Sequence, residues 1–190
     1  MNARPWHGAF VLGVLWSTSG LAQASSASPV EDIIIARSWR ESRIPPSAFC
    51  SRPTVGFGAV RFEDRYTFRS VTTRASDGLV VDLNAGTIGD LHACFGSTAD
   101  SARTSFYGEG KLGGVQFVGR GECITAKTDY PETGLSTIRC FLDLSGLPQE
   151  FVGGQLTTNT INSRALLGGV SDPVGYAQPS IATVRLWRRR

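Results

Sequence analysis

Apolar and polar residues alternate along most of this chain, and short groups of turn residues separate the alternating runs. Alternation with a period of two is typical of strands that bury one face, whereas a buried helix face repeats about every 3.6 residues. No segment carries a long amphipathic helical pattern. The alternation predicts strands at residues 33–39, 56–62, 66–73, 79–83, 87–95, 104–112, 115–126, 136–144, 149–161 and 181–187.

Glycine is frequent inside the predicted strands, for example at Gly108, Gly110, Gly119 and Gly121. A glycine in a strand interior usually marks a bend, a bulge or a close approach of two backbones. Small closed barrels need such positions where their strands curl. We therefore predict an all-β fold, a small antiparallel meander closed into a β-barrel of about eight strands, with a β-sandwich as the alternative.

One predicted hairpin has a register that can be argued from its residues. Reflection of the chain about the loop 128–134 sets Cys123 opposite Cys140, close enough for a disulfide bond. The same register sets Arg120 opposite Asp143, and the two opposite charges favour it independently. We expect the apolar face of this hairpin to lie in the core.

The four cysteines form an even set, which favours two disulfide bonds in an exported protein. Four cysteines allow three connectivities. If Cys123 pairs with Cys140, then Cys50 remains for Cys94 and pins the irregular segment 42–54 onto the sheet. Because no pair of cysteines has the spacing of metal ligands, we expect no metal site.

The first residues have the layout of a secretory signal peptide. Arg4 precedes a short apolar run at residues 8–16, and Ala22 and Ala24 flank a small-residue cleavage site. We predict a signal peptide over residues 1–24 and a single barrel domain over residues 25–190, secreted or periplasmic. No later run is long enough for a membrane helix, so no integral membrane segment is expected after processing.

His92 is the only histidine beyond the predicted signal peptide. On a strand it shares a face with Asp90, and a carboxylate beside an imidazole can orient it as a general base. One register of the next strand brings Tyr107 or Glu109 alongside His92. The other register places Gly108 and Gly110 opposite and leaves open space above His92 and Asp90. The catalytic candidates are His92, Asp90, Tyr107 and Glu109, and the simpler interpretation is a hydrogen-bonded surface histidine.

The polar face of the 115–144 hairpin gives a first set of ligand-binding candidates. Arg120, Glu122 and Arg139 form a charge lattice with Asp143. Inside a barrel, such a lattice would bind a carboxylate or polarise a carbonyl group. On the outside it would be an ordinary solvated ladder that adds little stability.

Asn159 and Tyr176 complete the ligand-binding candidates. Asn159 lies near the end of the predicted strand 149–161, and Tyr176 lies in the long connection 163–179 with Leu166 and Leu167. Long loops in compact domains often bind ligands, so this connection is either a lid over an apolar mouth or a plain surface crossing.

Several function classes have no support in the sequence. The chain has no nucleophile elbow, zinc-protease motif or phosphate-binding loop, so no cofactor is expected. Aromatic residues are not interleaved with basic ones, which argues against a nucleic-acid partner. The terminal Arg188–Arg190 run could contact an anionic surface, but a solvated tail is the simpler interpretation.

The leading hypothesis is a secreted or periplasmic barrel that binds a small, largely apolar molecule. In overall layout the chain resembles the barrel shared by allene oxide cyclases and dirigent proteins, a resemblance of layout that no residue motif carries. It implies a second hypothesis, a cofactor-independent isomerase or cyclase, although a fold does not fix a function. A third is an oligomeric interaction protein, such as a homo-oligomer built through a sheet edge. Whether the chain is an enzyme stays open.

Overall fold

The alternating runs of the sequence form strands in a computed structural model that describes residues 30–52, 57–127, 135–162 and 179–189. The predicted signal peptide and most of the connection 163–179 lie outside the described residues. The strands are β1 Glu31–Ile44, β2 Val60–Ser70, β3 Thr72–Thr73, β4 Val80–Asp82, β5 Thr87–Ser97, β6 Arg103–Leu112, β7 Val115–Lys127, β8 Ser136–Ser145, β9 Phe151–Asn162 and β10 Ser180–Arg188. A short 3-10 turn covers Ala48–Ser51.

Eight of these strands close into an antiparallel barrel in the order β1-β10-β9-β8-β7-β6-β5-β2. The strands from β5 to β10 follow one another as a meander, and β1 closes the barrel by pairing with both β10 and β2. The small β3–β4 hairpin stands apart as a second sheet. The predicted closed barrel is therefore confirmed, and the sandwich alternative does not apply.

The main error of the strand prediction lies in β2. Residues 56–62 and 66–73 are predicted as two strands, but Val60–Ser70 is continuous. The charged residues Glu63, Asp64 and Arg65 interrupt the apolar alternation and look like a turn. They stay in the strand because Glu63 and Asp64, both fully buried, each have hydrogen-bond partners.

The two ends of the barrel differ. At one end, called the cavity end because a cavity opens there, β1, β5, β7 and β9 finish. The strands that follow them along the chain, β2, β6, β8 and β10, begin at the same end. At the opposite, packed end, β6 turns into β7 through Gly113 and Gly114, whose φ angles of 59° and 88° suit a tight hairpin turn. Large side chains fill this end, among them Leu112, Phe117 and Leu186.

Both predicted disulfide bonds are present, Cys50–Cys94 and Cys123–Cys140. The hairpin register is also as predicted, because Cys123 pairs with Cys140 and Arg120 with Asp143. Among the described residues, no helix has the length and apolar character needed to cross a bilayer.

Candidate functional site

A cavity of about 270 Å³ lies inside the barrel at the cavity end. It exists because strand alternation points one set of side chains inward, and several of those at this end are small. Ser38, Thr158 and Ser180 line it together with larger residues deeper in the barrel. The lining reaches the exposed residues Arg61 and Ser101, so the cavity opens at the end of the barrel.

Aromatic and aliphatic side chains form most of the deep wall. Phe62 stacks on Phe95 with ring centroids 4.7 Å apart, and Phe95 meets Phe106 edge to face at 5.0 Å. Such pairs add stability beyond the area they bury and hold the rings in fixed positions. Leu142 and Leu156 line the cavity as well. The deep wall is therefore largely aromatic and aliphatic.

The Asp64 carboxylate is buried inside the barrel, and its charge is compensated. Arg43 donates two hydrogen bonds to Asp64, at 2.8 and 2.9 Å, and the Tyr66 hydroxyl donates a third at 3.0 Å. The hydrogen bonds to Asp64 raise the pKa of Arg43, and burial together with the nearby Asp64 charge raises that of Tyr66. Tyr66 thus stays a neutral donor, and this trio forms a satisfied polar corner of the cavity.

His92 lies on the outer surface of the barrel and does not line the cavity. It packs beneath the Ala48–Ser51 turn, where Phe49 stacks on the imidazole with ring centroids 3.8 Å apart. The imidazole Nε2–H donates to the carboxylate of Glu63. The Cys50–Cys94 disulfide holds the same turn against β5. These contacts clamp the turn to the barrel wall.

Glu63 is the anchor of this outer cluster. Burial opposes its ionisation more than any other single influence, but the hydrogen bonds from the Ser47 backbone N–H and from His92 together lower its pKa. The Ser47 bond is 2.8 Å long. Glu63 is therefore a buried anion that fastens the segment before the turn.

The other catalytic candidates also lie outside the cavity. Glu109 pairs with His92 in the strand register, which settles the alternative left open by the sequence. Tyr107 donates to Glu109, as does Arg52 at 2.8 Å, and these two bonds lower the pKa of Glu109. Asp90 is exposed, beside Lys111 in the register. His92 and Tyr107 thus lie against Phe49, and Glu109 is bonded to Tyr107, whereas Asp90 stands apart.

The ligand-binding candidates of the 115–144 hairpin lie on the outer surface as well. Glu122 bonds to Arg103 at 2.7 Å, and the Arg120 guanidinium sits 5.1 Å from the centre of the Tyr107 ring. Arg139 and Asn159 are exposed and adjacent in the register of β8 and β9. None of these four lines the cavity. Tyr176 lies outside the described residues.

The charged residues that do line the cavity were missed by sequence reasoning. Arg40, Arg43 and Arg61 belong to its lining, and Asp64 adjoins it. The signal for Asp64 was the alternation of β2, in which Phe62, Asp64 and Tyr66 share one face. It could be used only if the strand was recognised as continuous through residues 63–65.

A cluster of Cys50, Glu63 and Cys94 has the proximity of metal ligands. Both sulfur atoms are joined in the disulfide bond, so this cluster lacks the thiolates that a metal requires. Comparison of the chain with protein families, with curated proteins and with solved structures finds no match.

Proposed function

We propose that this protein binds a small, largely apolar molecule inside its barrel. The observation that carries the proposal is the cavity of about 270 Å³ with a wall of phenylalanine and leucine side chains. Ligand sites are typically concave, mostly apolar and equipped with a few fixed polar groups. An eight-stranded barrel has room for one such molecule.

The cavity volume limits the size of the ligand. An apolar cavity of about 150 Å³ holds benzene, and sites for drug-sized ligands begin near 300 Å³. A molecule between these sizes, such as a medium-length alkyl chain or a bicyclic aromatic compound, matches the space best. The two disulfide bonds are typical of proteins outside the cytosol, and we place the function in a secreted or periplasmic setting.

The two alternative functions have weaker support. A cofactor-independent isomerase or cyclase would need reacting groups in the cavity, and His92 faces away from it. An oligomeric interaction protein is favoured by one observation, an outer row in which Ile35, Thr183, Thr157 and Phe141 lie side by side across four strands. Ile35 and Phe141 are about half exposed in this row.

Filling the cavity tests the proposed function. Thr158→Phe places a ring in the space from β9, and calorimetric titration with octan-1-ol should show at least a tenfold loss of affinity relative to the wild type. Thr125→Phe, from β7 two strands away, should act in the same way. Both residues line the cavity, so substitution there competes with the probe directly.

Gln155→Phe is the matched control for this titration. Gln155 lies on the same strand as Thr158 but on its outer face, between Asp143 and Arg185 in the register. The Gln155→Phe variant should bind octan-1-ol with the affinity of the wild type. Wild-type protein that binds no octan-1-ol, or folded Thr158→Phe and Thr125→Phe variants that bind it undiminished, would contradict the proposal.

A further inference from the structure

We propose that the natural ligand carries an anionic head group, such as a carboxylate, and that Arg40 binds it at the cavity end. This inference rests on the proposed function, since it concerns the polar part of the same ligand. It assigns a molecule with an apolar body and one negative charge.

The charges of the lining favour an anion. Arg40, Arg43 and Arg61 line the cavity, and among the described residues no carboxylate does. Asp64, buried just behind the lining, compensates one of these three positive charges through Arg43. The cavity end therefore has an excess of positive charge over an apolar interior.

Arg40 is the cation best placed to use that excess. It is half-buried, it lines the cavity, and it lies opposite Tyr66 in the register of β1 and β2. Within the described part of the chain, its guanidinium has neither a hydrogen-bond acceptor nor an ion-pair partner. A partly buried charge without a partner is costly, and a bound anion would remove that cost.

Two neighbouring polar groups are already committed and Arg61 is exposed, which leaves Arg40 as the partly buried cation for the anion. The Tyr66 hydroxyl donates to Asp64, and Arg43 holds the same carboxylate with two hydrogen bonds. A guanidinium matches a carboxylate with two parallel hydrogen bonds, a geometry that fixes the orientation of the ligand. The apolar body would then extend toward Phe95 and Leu156 along the deep wall.

Three probes with one alkyl chain and different head groups test the inference. Octanoate, octan-1-ol and octylamine, each titrated by calorimetry near neutral pH, present a negative, a neutral and a positive head. Octanoate should bind about tenfold more tightly than octan-1-ol, because hydrogen bonds between charged groups are the strong ones. Octylamine should bind most weakly.

Variants assign the preference to Arg40. Arg40→Gln should lose about tenfold in affinity for octanoate and keep its affinity for octan-1-ol within about twofold. Arg40→Lys, which keeps the charge, should retain part of the preference. Arg65→Gln removes the same charge from the exposed outer face of β2 and should leave both affinities unchanged. The thermal midpoint of Arg40→Gln should not fall, since the replaced charge is unpaired.

The outcomes separate this inference from the proposed function. Equal binding of octanoate and octan-1-ol, or equal effects of Arg40→Gln and Arg65→Gln, would overturn the anionic head group and leave the apolar site standing. Failure of all three probes to bind would contradict the proposed function itself.

Discussion

Glu63 and Asp64 are consecutive carboxylates that are both fully buried, on opposite sides of the barrel wall. Glu63 points outward beneath the segment before the 48–51 turn, and Asp64 points inward to Arg43. Burial of an ionised carboxylate is tolerated only where hydrogen bonds and opposite charges compensate it. Each residue therefore fixes a different feature: Glu63 the turn, and Asp64 the polar corner of the cavity.

The lowered pKa of Glu63 predicts an acid-dependent stability. A carboxylate whose pKa is lower in the folded than in the unfolded chain stabilises the fold at pH values above its unfolded pKa, which for glutamate is about 4.3. That stabilisation is lost as the pH falls through the folded pKa. Glu63→Gln should cost about 1–3 kcal/mol of unfolding free energy at pH 7, because charged hydrogen bonds to a buried group are lost.

Denaturant unfolding between pH 7 and pH 3 measures this effect. The difference in unfolding free energy between wild type and Glu63→Gln should become smaller as the pH falls below about 4.3. Glu150→Gln, at an exposed turn, should follow the wild-type curve throughout. Parallel curves for wild type and Glu63→Gln over the whole range would show that Glu63 is not held as an anion.

At the scale of an element, β7 illustrates why this barrel needs glycine. A Cβ atom at Gly121 would lie 2.0 Å from the carbonyl oxygen of Phe141 on β8, whereas one at Gly119 would lie no closer than 3.6 Å to any neighbour. Neither glycine has a positive φ, so the difference is one of space. The backbones of β7 and β8 approach too closely at Gly121 for any side chain.

Alanine at these two positions should have opposite consequences. Gly121→Ala should lower the free energy of unfolding by at least about 2 kcal/mol, because a backbone atom has to move. Gly119→Ala should be neutral or stabilise by up to about 1 kcal/mol, since alanine reduces the entropy of the unfolded chain. Denaturant titration of the two variants checks this. Equal stability of both would mean that the close approach at Gly121 has no structural role.

The elements were more predictable than the faces they present. Alternation and internal glycines predicted the closed barrel, and the charges around Cys123 predicted the hairpin register. The inward face of β5 could not be decided from the sequence, because the face that carries Leu91 and the face that carries His92 and Cys94 are equally plausible inner faces. Arg40 was missed because the predicted strand stopped at residue 39, and Arg43 was hidden by a bulge in β1 between Arg40 and Ser42, which alternation alone cannot reveal.

At the scale of the molecule, side-chain size divides the barrel into two halves. Leu112, Phe117 and Leu186 fill the packed end, while Ser38 and Thr158 leave space at the other. The interior of an eight-stranded barrel is wide enough either to be filled by side chains or to keep a small cavity. The fold therefore supplies the wall, and the small residues at one end leave the cavity open.

Contacts between a bound probe and the methyl groups of the protein test the central claim most directly. With methyl-labelled protein and octan-1-ol, intermolecular nuclear Overhauser effects should reach Ile138, Leu142 and Leu156, which line the cavity. They should be absent at Ile35 and Val152, which are exposed on the outer surface. Contacts confined to the outer methyl groups, or none at saturating probe, would contradict an internal binding site.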